Sequence, residues 1–264
     1  VNRVRRIDFI TLDVVAGPEP LRQPGWTLSL PEPRHRRLSD FRVAIWPTDD
    51  LAPVDVEVEQ RAREIGDVLR RAGATVSDTA RPAFDPQSSH ITYLELLNSI
   101  TGAGIDPQTK AQFAEIVADA GPDTDPVELA SARGMVLSHA EWILTANRRE
   151  ELRYAWRDFF DDWDVLICPQ TATPAFPHDQ SAIRTRTLEV NGEEQPYFAQ
   201  LFWAGLITVA YLPSTVFPTG LSSAGLPIGL QAVSGEYHDH TTIEFARLMA
   251  EEIGGFVAPP GLAS

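Results

Sequence analysis

The sequence is poor in cysteine and lysine, two residues on which many structural and catalytic sites depend. Cys168 is the only cysteine among 264 residues, so the chain cannot form an internal disulfide, and a reducing cytoplasm is the expected location. Lys110 is the only lysine among 22 basic residues. Chemistry that needs a lysine base within these residues would therefore depend on Lys110.

Long apolar runs are absent as well. The least charged stretch, residues 195–234, is interrupted by several prolines and glycines, whereas a membrane span needs about 20 apolar residues. Residues 1–6 are basic, but no long apolar run follows them, so no signal peptide is predicted. The formal net charge of −15 disfavours binding to a phosphate backbone. We therefore expect neither a membrane nor a nucleic acid as partner.

No motif in the sequence carries a complete catalytic or metal site by itself. A G-x-S-x-G nucleophile elbow, an H-E-x-x-H helix and a pair of cysteines for zinc are all missing. The segment 220–225 contains two serines, but its spacing does not fit a nucleophile elbow. No metal site is predicted.

Three local groups of reactive residues have a structural interpretation that we favour. Cys168 ends an apolar segment, so a buried thiol is expected rather than a nucleophile paired with His178. The segment His238-Asp239-His240 is placed to open a helix rather than to bind a metal. Residues 138–141 contain serine, histidine and glutamate within a predicted helix, where neighbouring side chains point apart. A cysteine enzyme built on Cys168 and His178 is kept as an alternative.

Strands alternate with helices along the chain, which predicts an α/β domain. Residues 1–40 are expected to form a helix and an exposed connector, and residues 41–264 the α/β domain. A strand at 41–46, a helix at 54–71 and a strand at 75–77 predict a β-α-β unit with parallel strands. Further strands are expected at 164–168, 214–217 and 228–233, and further helices at 86–99, 107–119, 126–160 with a joint near Gly134, 196–210 and 240–253.

Several segments, taken in chain order, resemble the amidase signature family. Residues 164–177 (DVLICPQTATPAFP) are similar to its D-V-L-L-x-P-T-x-P-x-P-A-P segment, and residues 225–239 (GLPIGLQAVSGEYHD) to its G-L-P-x-G-x-Q hairpin. Residues 12–18, 203–206 and 212–218 are similar to neighbouring family segments. Within that family, residues 178–181 and 197–203 resemble acylamidases and hydrolases of 6-aminohexanoate cyclic dimers most.

The resemblance implies the C-terminal half of an amidase: part of a mixed sheet flanked by helices, with the N-terminal catalytic half absent. Family members hydrolyse a carboxamide C–N bond with a serine nucleophile, a second serine in a cis peptide and a lysine base, without a cofactor. That triad precedes the region matched by residues 1–16. We therefore predict no catalytic residue in this chain and no hydrolysis by the chain alone. A non-catalytic scaffold or binding protein that keeps the fold is the alternative.

The same resemblance leads to a predicted pocket and a predicted partner. Cys168, Gln170, Thr171 and Trp203 are expected to line the pocket for a small-molecule amide, because we place them at or just after the carboxyl end of a strand. Strand edges and apolar faces that belong against the other half would be exposed. We therefore expect self-association or a partner chain that carries the N-terminal half.

Overall fold

The computed structural model describes residues 2–258, with side chains from Phe9 onward except that of Arg184. Within that range the elements follow one another as α1 (Asn2–Val15), β1 (Arg42–Ile45), α2 (Val56–Arg71), β2 (Thr75–Ser77), α3 (Pro86–Thr101), α4 (Pro107–Ala118), α5 (Pro126–Val136), α6 (His139–Asp162), β3 (Val165–Pro169), β4 (Thr187–Val190), β5 (Glu193–Pro196), α7 (Leu201–Thr208), β6 (Ser214–Leu221), β7 (Pro227–Val233) and α8 (Asp239–Ile253). They form two compact units. The second unit holds residues 82–159 and 200–211, and the first unit holds the rest.

The first unit is built on a five-stranded mixed sheet with the strand order β2-β1-β3-β7-β6. Strand β1 pairs in parallel with β2 and β3, whereas β7 runs antiparallel to β3 and β6. The segment β1-α2-β2 is therefore the predicted parallel β-α-β unit. Helices α2 and α8 pack on the sheet, and α1 packs on α8. The predicted α/β class, with a mixed sheet flanked by helices, is confirmed.

Helix α2 shows how local sequence signals set the elements of this unit. Asp55 precedes the helix, and its Oδ1 accepts a hydrogen bond of 2.9 Å from the backbone N–H of Glu57. Gly73 follows the last turn with a φ of +89°, a conformation that glycine adopts without steric cost. The apolar face recurs at helical spacing and is buried; it consists of Val58, Ala62, Ile65 and Leu69.

The connector that precedes β1 is fixed to the sheet by a buried carboxylate. Asp164, whose side chain is 2% exposed, lies directly before β3. Its Oδ1 lies 3.2 Å from Nη1 of Arg34 and 3.0 Å from Nη2 of Arg42. Its Oδ2 accepts a hydrogen bond of 2.8 Å from the backbone N–H of Arg42 and lies 3.2 Å from Nε2 of His35. The predicted connector is therefore largely exposed but anchored at its end.

Two hairpins differ from the sequence-based prediction. The predicted helix at 196–210 begins only at Leu201, because the residues before it form strand β5 and a short 3-10 turn. Strands β4 and β5 form a separate hairpin that was not predicted. Strand β6 continues to Leu221 instead of ending at Phe217, with an irregularity between Pro218 and Gly220. Proline is tolerated there because β6 is one of the two outer strands of the described sheet.

The second unit consists of α3, α4, α5, most of α6, and α7. The predicted division of this segment into two helices is confirmed, but the break lies a few residues after Gly134: α5 ends at Val136 and α6 begins at His139. Gly134 lies inside α5, where it packs against α3. A Cβ at that position would lie 2.6 Å from Cβ of Asn98 and 2.8 Å from the carbonyl oxygen of Glu95. Glycine is therefore required for the close approach of the two helices and does not mark a break.

None of the helices between residues 2 and 258 combines the length and the apolar character that crossing a bilayer demands.

Candidate functional site

The carboxyl ends of the parallel strands carry a tryptophan and an arginine. Trp46 follows β1, and its backbone N–H donates a hydrogen bond of 2.8 Å to the carbonyl oxygen of Ile167 in β3. Arg81 follows β2, donates from Nη1 to the carbonyl oxygen of Ile45 at 3.0 Å, and lies 4.8 Å above the Trp46 ring. Burial lowers the pKa of Arg81 below its ordinary value. This edge of the sheet therefore holds a partly buried cation.

Cys168 lies inside the sheet. It is in β3, opposite Gln231 of β7, and is 0% exposed. Burial raises the pKa of its thiol to about 12, so the thiol stays protonated at neutral pH. His178 lies exposed in the loop that follows β3. The favoured interpretation of Cys168 as a buried thiol is confirmed, and the alternative of a Cys168–His178 nucleophile is wrong.

The remaining predicted pocket residues lie in different surroundings. Gln170 is half-buried and Thr171 exposed, directly after β3, and the hydroxyl of Thr171 donates to the carbonyl oxygen of Thr173 at 3.0 Å. Trp203 does not follow a strand: it lies in α7 and is buried, with its ring 5.2 Å from that of Phe202. Its placement at a strand end was therefore wrong. That Cys168, Gln170, Thr171 and Trp203 line a substrate pocket stays a prediction.

A cleft of about 410 Å³ lies in the first unit, beside the start of α2. Its walls come from four places in the sequence: the α2 start, the loop after β3, the β4–β5 hairpin and the β6–β7 turn. None of the four predicted pocket residues lines it. The charged and aromatic residues of its lining are Asp55, Glu57, Phe176, Asp179, Arg186, Glu189 and Tyr197.

The start of α2 holds the parts of this cleft together. Asn191, in the β4–β5 turn, accepts from the backbone N–H of Val56 at 2.8 Å and donates to the carbonyl oxygen of Val54 at 2.9 Å. Ser223, in the β6–β7 turn, donates a backbone hydrogen bond of 2.7 Å to Oε2 of Glu57. The backbone N–H of Asp55 donates to the carbonyl oxygen of Ala172 at 2.8 Å. Three separate segments are therefore fixed to one helix end.

Aromatic rings and carboxylates line the cleft together. The rings of Phe176 and Tyr197 meet edge to face, with centroids 6.1 Å apart. The hydroxyl and backbone N–H of Ser223 lower the pKa of Glu57, and the backbone N–H and hydroxyl of Ser181 lower the pKa of Asp179. Both carboxylates are therefore ionised at neutral pH. The cleft combines apolar surface with negative charge.

The other groups singled out in the sequence have structural roles. The side chain of Glu141 accepts from the backbone N–H of Ser138 at 2.8 Å, and Ser138 Oγ accepts from the backbone N–H of Glu141 at 3.3 Å, which is a capping box at the start of α6. Asp239 opens α8 as expected, and Nδ1 of His240 lies 2.9 Å from the carbonyl oxygen of Pro31. Among the described residues, no group of three or more His, Cys, Asp or Glu side chains is placed to hold a metal ion.

Ser88 and Ser223, which could suggest hydrolytic chemistry, each bond to a carboxylate, and Lys110 is exposed. Lys110 is exposed on α4 in the second unit. Ser88 donates to Oδ2 of Asp85 at the start of α3, at 2.7 Å, as part of the helix cap. Ser223 is hydrogen-bonded to Glu57 in the first unit.

The fold and these motifs define the class of protein. The chain belongs to the Amidase family, whose model matches residues 9–243, and members of this family are hydrolases of amide C–N bonds. The resemblance inferred from residues 164–177 and 225–239 is therefore confirmed.

Individual relatives are similar to most of this chain but only to part of their own length. An indoleacetamide hydrolase from Bradyrhizobium diazoefficiens is 27% identical over 255 residues, which are 93% of this chain and 44% of the relative. A fatty-acid amide hydrolase 2-B from Danio rerio is 27% identical over 234 residues, which are 79% of this chain and 39% of the relative. The chain thus spans less than half the length of these two curated relatives.

Solved structures support the same fold. The 6-aminohexanoate cyclic dimer hydrolase in complex with substrate aligns with 95% of this chain and 53% of its own, at a TM-score of 0.62 and 18% identity. A bacterial aryl acylamidase of the amidase signature family aligns with 80% of this chain and 43% of its own, at a TM-score of 0.59 and 18% identity. At this level of identity the likeness establishes the fold alone.

Proposed function

We propose that this chain is the C-terminal half of an amidase that hydrolyses a carboxamide C–N bond. The proposed Ser–cis-Ser–Lys triad lies in an N-terminal half that precedes Val1, either in the same polypeptide or in a separate one. The substrate is a small-molecule amide. In this proposal the chain contributes sheet framework and part of the substrate pocket but no catalytic residue, and it does not hydrolyse amides alone.

The position of the one lysine carries the proposal. A lysine acts as a base towards serine only when burial and neighbouring groups keep it neutral. Lys110 is exposed on α4, and the chain offers no second lysine. The chain belongs to the Amidase family and spans less than half the length of its curated relatives. We therefore place the lysine and the serines of the triad outside residues 1–264.

Exposed apolar surface supports a partner for the first unit. In the described sheet, β2 and β6 each pair on one side only. Strand β6 exposes 56% of Val216 and 59% of Leu221, and α1 exposes 78% of Val14. Outer strands and apolar faces of this kind favour association. We propose that the partner is the N-terminal half; association of the chain with itself is the outcome that would arise without it.

Reconstitution tests this function directly. The chain and an N-terminal half encoded upstream of Val1 are expressed separately and together, and amide hydrolysis is assayed with indole-3-acetamide, 4-nitroacetanilide and the 6-aminohexanoate cyclic dimer. We expect turnover only from the combined halves, and its loss when the upstream serine nucleophile is replaced by alanine. Turnover by the chain alone, or none by a well-formed complex on any carboxamide, would overturn the proposal.

A further inference from the structure

The cleft beside α2 has the chemistry of a site for an organic cation, and it lies wholly within the first unit. Its described lining includes four carboxylates, those of Asp55, Glu57, Asp179 and Glu189, and one guanidinium, that of Arg186. At neutral pH this balance gives the cleft a negative potential. Charges gathered in a concave, partly apolar surface act more strongly than the same charges on an open surface.

The helix end beside the cleft offers no free amide groups to an anion. The start of a helix binds anions through its unpaired N–H groups. Here the N–H of Val56 is bonded to Asn191 Oδ1, that of Glu57 to Asp55 Oδ1, and that of Val58 to the carbonyl oxygen of Asp55. The usual reason for anion binding at a helix end is therefore removed.

The one guanidinium of the described lining is held by the protein itself. Arg186 donates from Nε and Nη2 to the carbonyl oxygen of Ser181, at 3.0 and 2.9 Å, and lies 6.0 Å from the centroid of the Tyr197 ring. These contacts tie the guanidinium to the loop and the ring, and Arg186 also lowers the pKa of the Asp179 carboxyl electrostatically, so its charge is offset by that carboxylate. The carboxylates of Glu57 and Asp179 are stabilised in their ionised form by serine donors. The net charge offered to a ligand is negative.

The apolar part of the cleft selects for size and shape. Phe176, which is 42% exposed, and Tyr197 provide ring faces, and Leu188 and Leu226 add aliphatic surface. A volume of about 410 Å³ is within the range of small-molecule sites.

We propose that this cleft binds a small arylalkyl ammonium ion, with the ring against Phe176 and Tyr197 and the ammonium group among the carboxylates. Hydrolysis of an amide releases an amine, so the ligand is the amine-bearing end of the substrate or the amine product. That assignment rests on the proposed function, whereas binding of the cation does not.

Calorimetric titration of the whole chain tests the proposal without any catalysis. Three probes of similar shape are compared at low salt and pH 7: 2-phenylethylammonium chloride, 2-phenylethanol and sodium phenylacetate. We expect the ammonium ion to bind at least about fivefold more tightly than the alcohol, and the carboxylate more weakly than either. Equal binding of ammonium and alcohol, tighter binding of phenylacetate, or no binding of any probe would overturn the proposal.

A matched pair of variants locates the binding. Glu189 and Glu193 are both exposed residues of the β4–β5 hairpin, but only Glu189 lines the cleft. Glu189→Gln should weaken binding of 2-phenylethylammonium about threefold, because one ionised group is removed from a partly solvated site. Glu193→Gln should leave it unchanged. An equal effect of both variants would contradict the assignment. Because no turnover is measured, failure of the amidase proposal and failure of this one are distinguished.

Discussion

Gly134 illustrates how one residue determines the packing of the second unit. Helices α3 and α5 approach so closely there that a Cβ would lie 2.6 Å from Cβ of Asn98. Gly134→Ala should therefore lower the free energy of unfolding by about 1–3 kcal/mol, the usual cost of overpacking. Urea unfolding measures the change. Gly121→Ala is the matched control, since nothing lies within 4 Å of its added Cβ. Equal stability of the two variants would contradict this account of the packing.

The thiol of Cys168 should be inert in the folded chain. Its pKa of about 12 leaves about one thiolate in 10⁴ at pH 8, and the side chain is 0% exposed. Iodoacetamide should therefore modify Cys168 only after unfolding in guanidinium chloride, as read by intact mass. Rapid stoichiometric modification of the native chain at pH 8 would contradict the burial of this residue.

At the residue scale, the sequence predicts whether a side chain is buried better than it predicts which residues surround it. The apolar run that ends at Cys168 is enough to place this thiol in a strand of the core. Trp203 lies within the helix predicted at 196–210, and the structure places it in α7. Its expected position beside a strand end failed because no local pattern tells which elements surround a helical residue. Arg81 gave no local signal either, since its contacts with Ile45 and Trp46 join residues that lie more than 30 positions away.

At the scale of elements, the turn of the β4–β5 hairpin is hydrogen-bonded to the start of α2 and to the loop before it. Asn191 has a φ of +56° and Gly192 a φ of +84°, which fit an Asn-Gly hairpin turn, and the Asn191 side chain bonds Val56 and Val54. Asn191→Ala should cost about 1–2 kcal/mol of stability, because it removes a residue suited to this backbone and two hydrogen bonds. Thermal unfolding checks this, with Glu193→Ala as the control. Unchanged stability of Asn191→Ala would be inconsistent with the docking described here.

The contacts of Asp164, which fix the connector to the sheet, should make the free energy of unfolding depend on pH. Burial raises the pKa of the Asp164 carboxyl, but hydrogen bonds from Arg42 and Arg34 outweigh it and leave the pKa below its ordinary value of 3.8. The ionised group therefore adds stability above about pH 4, and this contribution is lost as the pH falls through the lower folded pKa. Asp164→Asn should lower stability by about 1–3 kcal/mol at pH 7 and by less at pH 3.

Urea unfolding at both pH values measures this difference, and Asp158→Asn, at an exposed surface position, is the control. A loss of stability for Asp164→Asn that is equal at pH 3 and pH 7 would refute the role of the charge.

Most elements follow from local signals, and the exceptions have identifiable causes. The apolar spacing of residues 54–71 predicts α2 to within two residues: the helix begins at Val56, after the Asp55 cap, and ends at Arg71, before Gly73. The β4–β5 hairpin was missed although Asn191-Gly192 is a recognised turn signal, because its strands are short and polar. Strand β6 was predicted to end before Pro218 but continues to Leu221, since an outer strand accommodates a proline that an inner strand would not.

At the scale of the whole molecule, ordered motifs predict the family, but geometry alone reveals the cleft. Residues 164–177 and 225–239 are strands and turns whose order is characteristic, and the Amidase family match confirms them. The cleft is built by four segments spread from Asp55 to Leu226. No local pattern joins them, so their meeting at the start of α2 could not be predicted from the sequence.

The most direct test of the central claim is labelling of the purified chain with a serine-reactive fluorophosphonate, read by intact mass. We expect an unchanged mass for the chain alone, because the proposed nucleophile lies outside residues 1–264. We also expect the combined halves to gain one adduct, located on the N-terminal half. A single clean adduct on the chain alone would refute the proposed function, since a nucleophilic serine would then lie within these 264 residues.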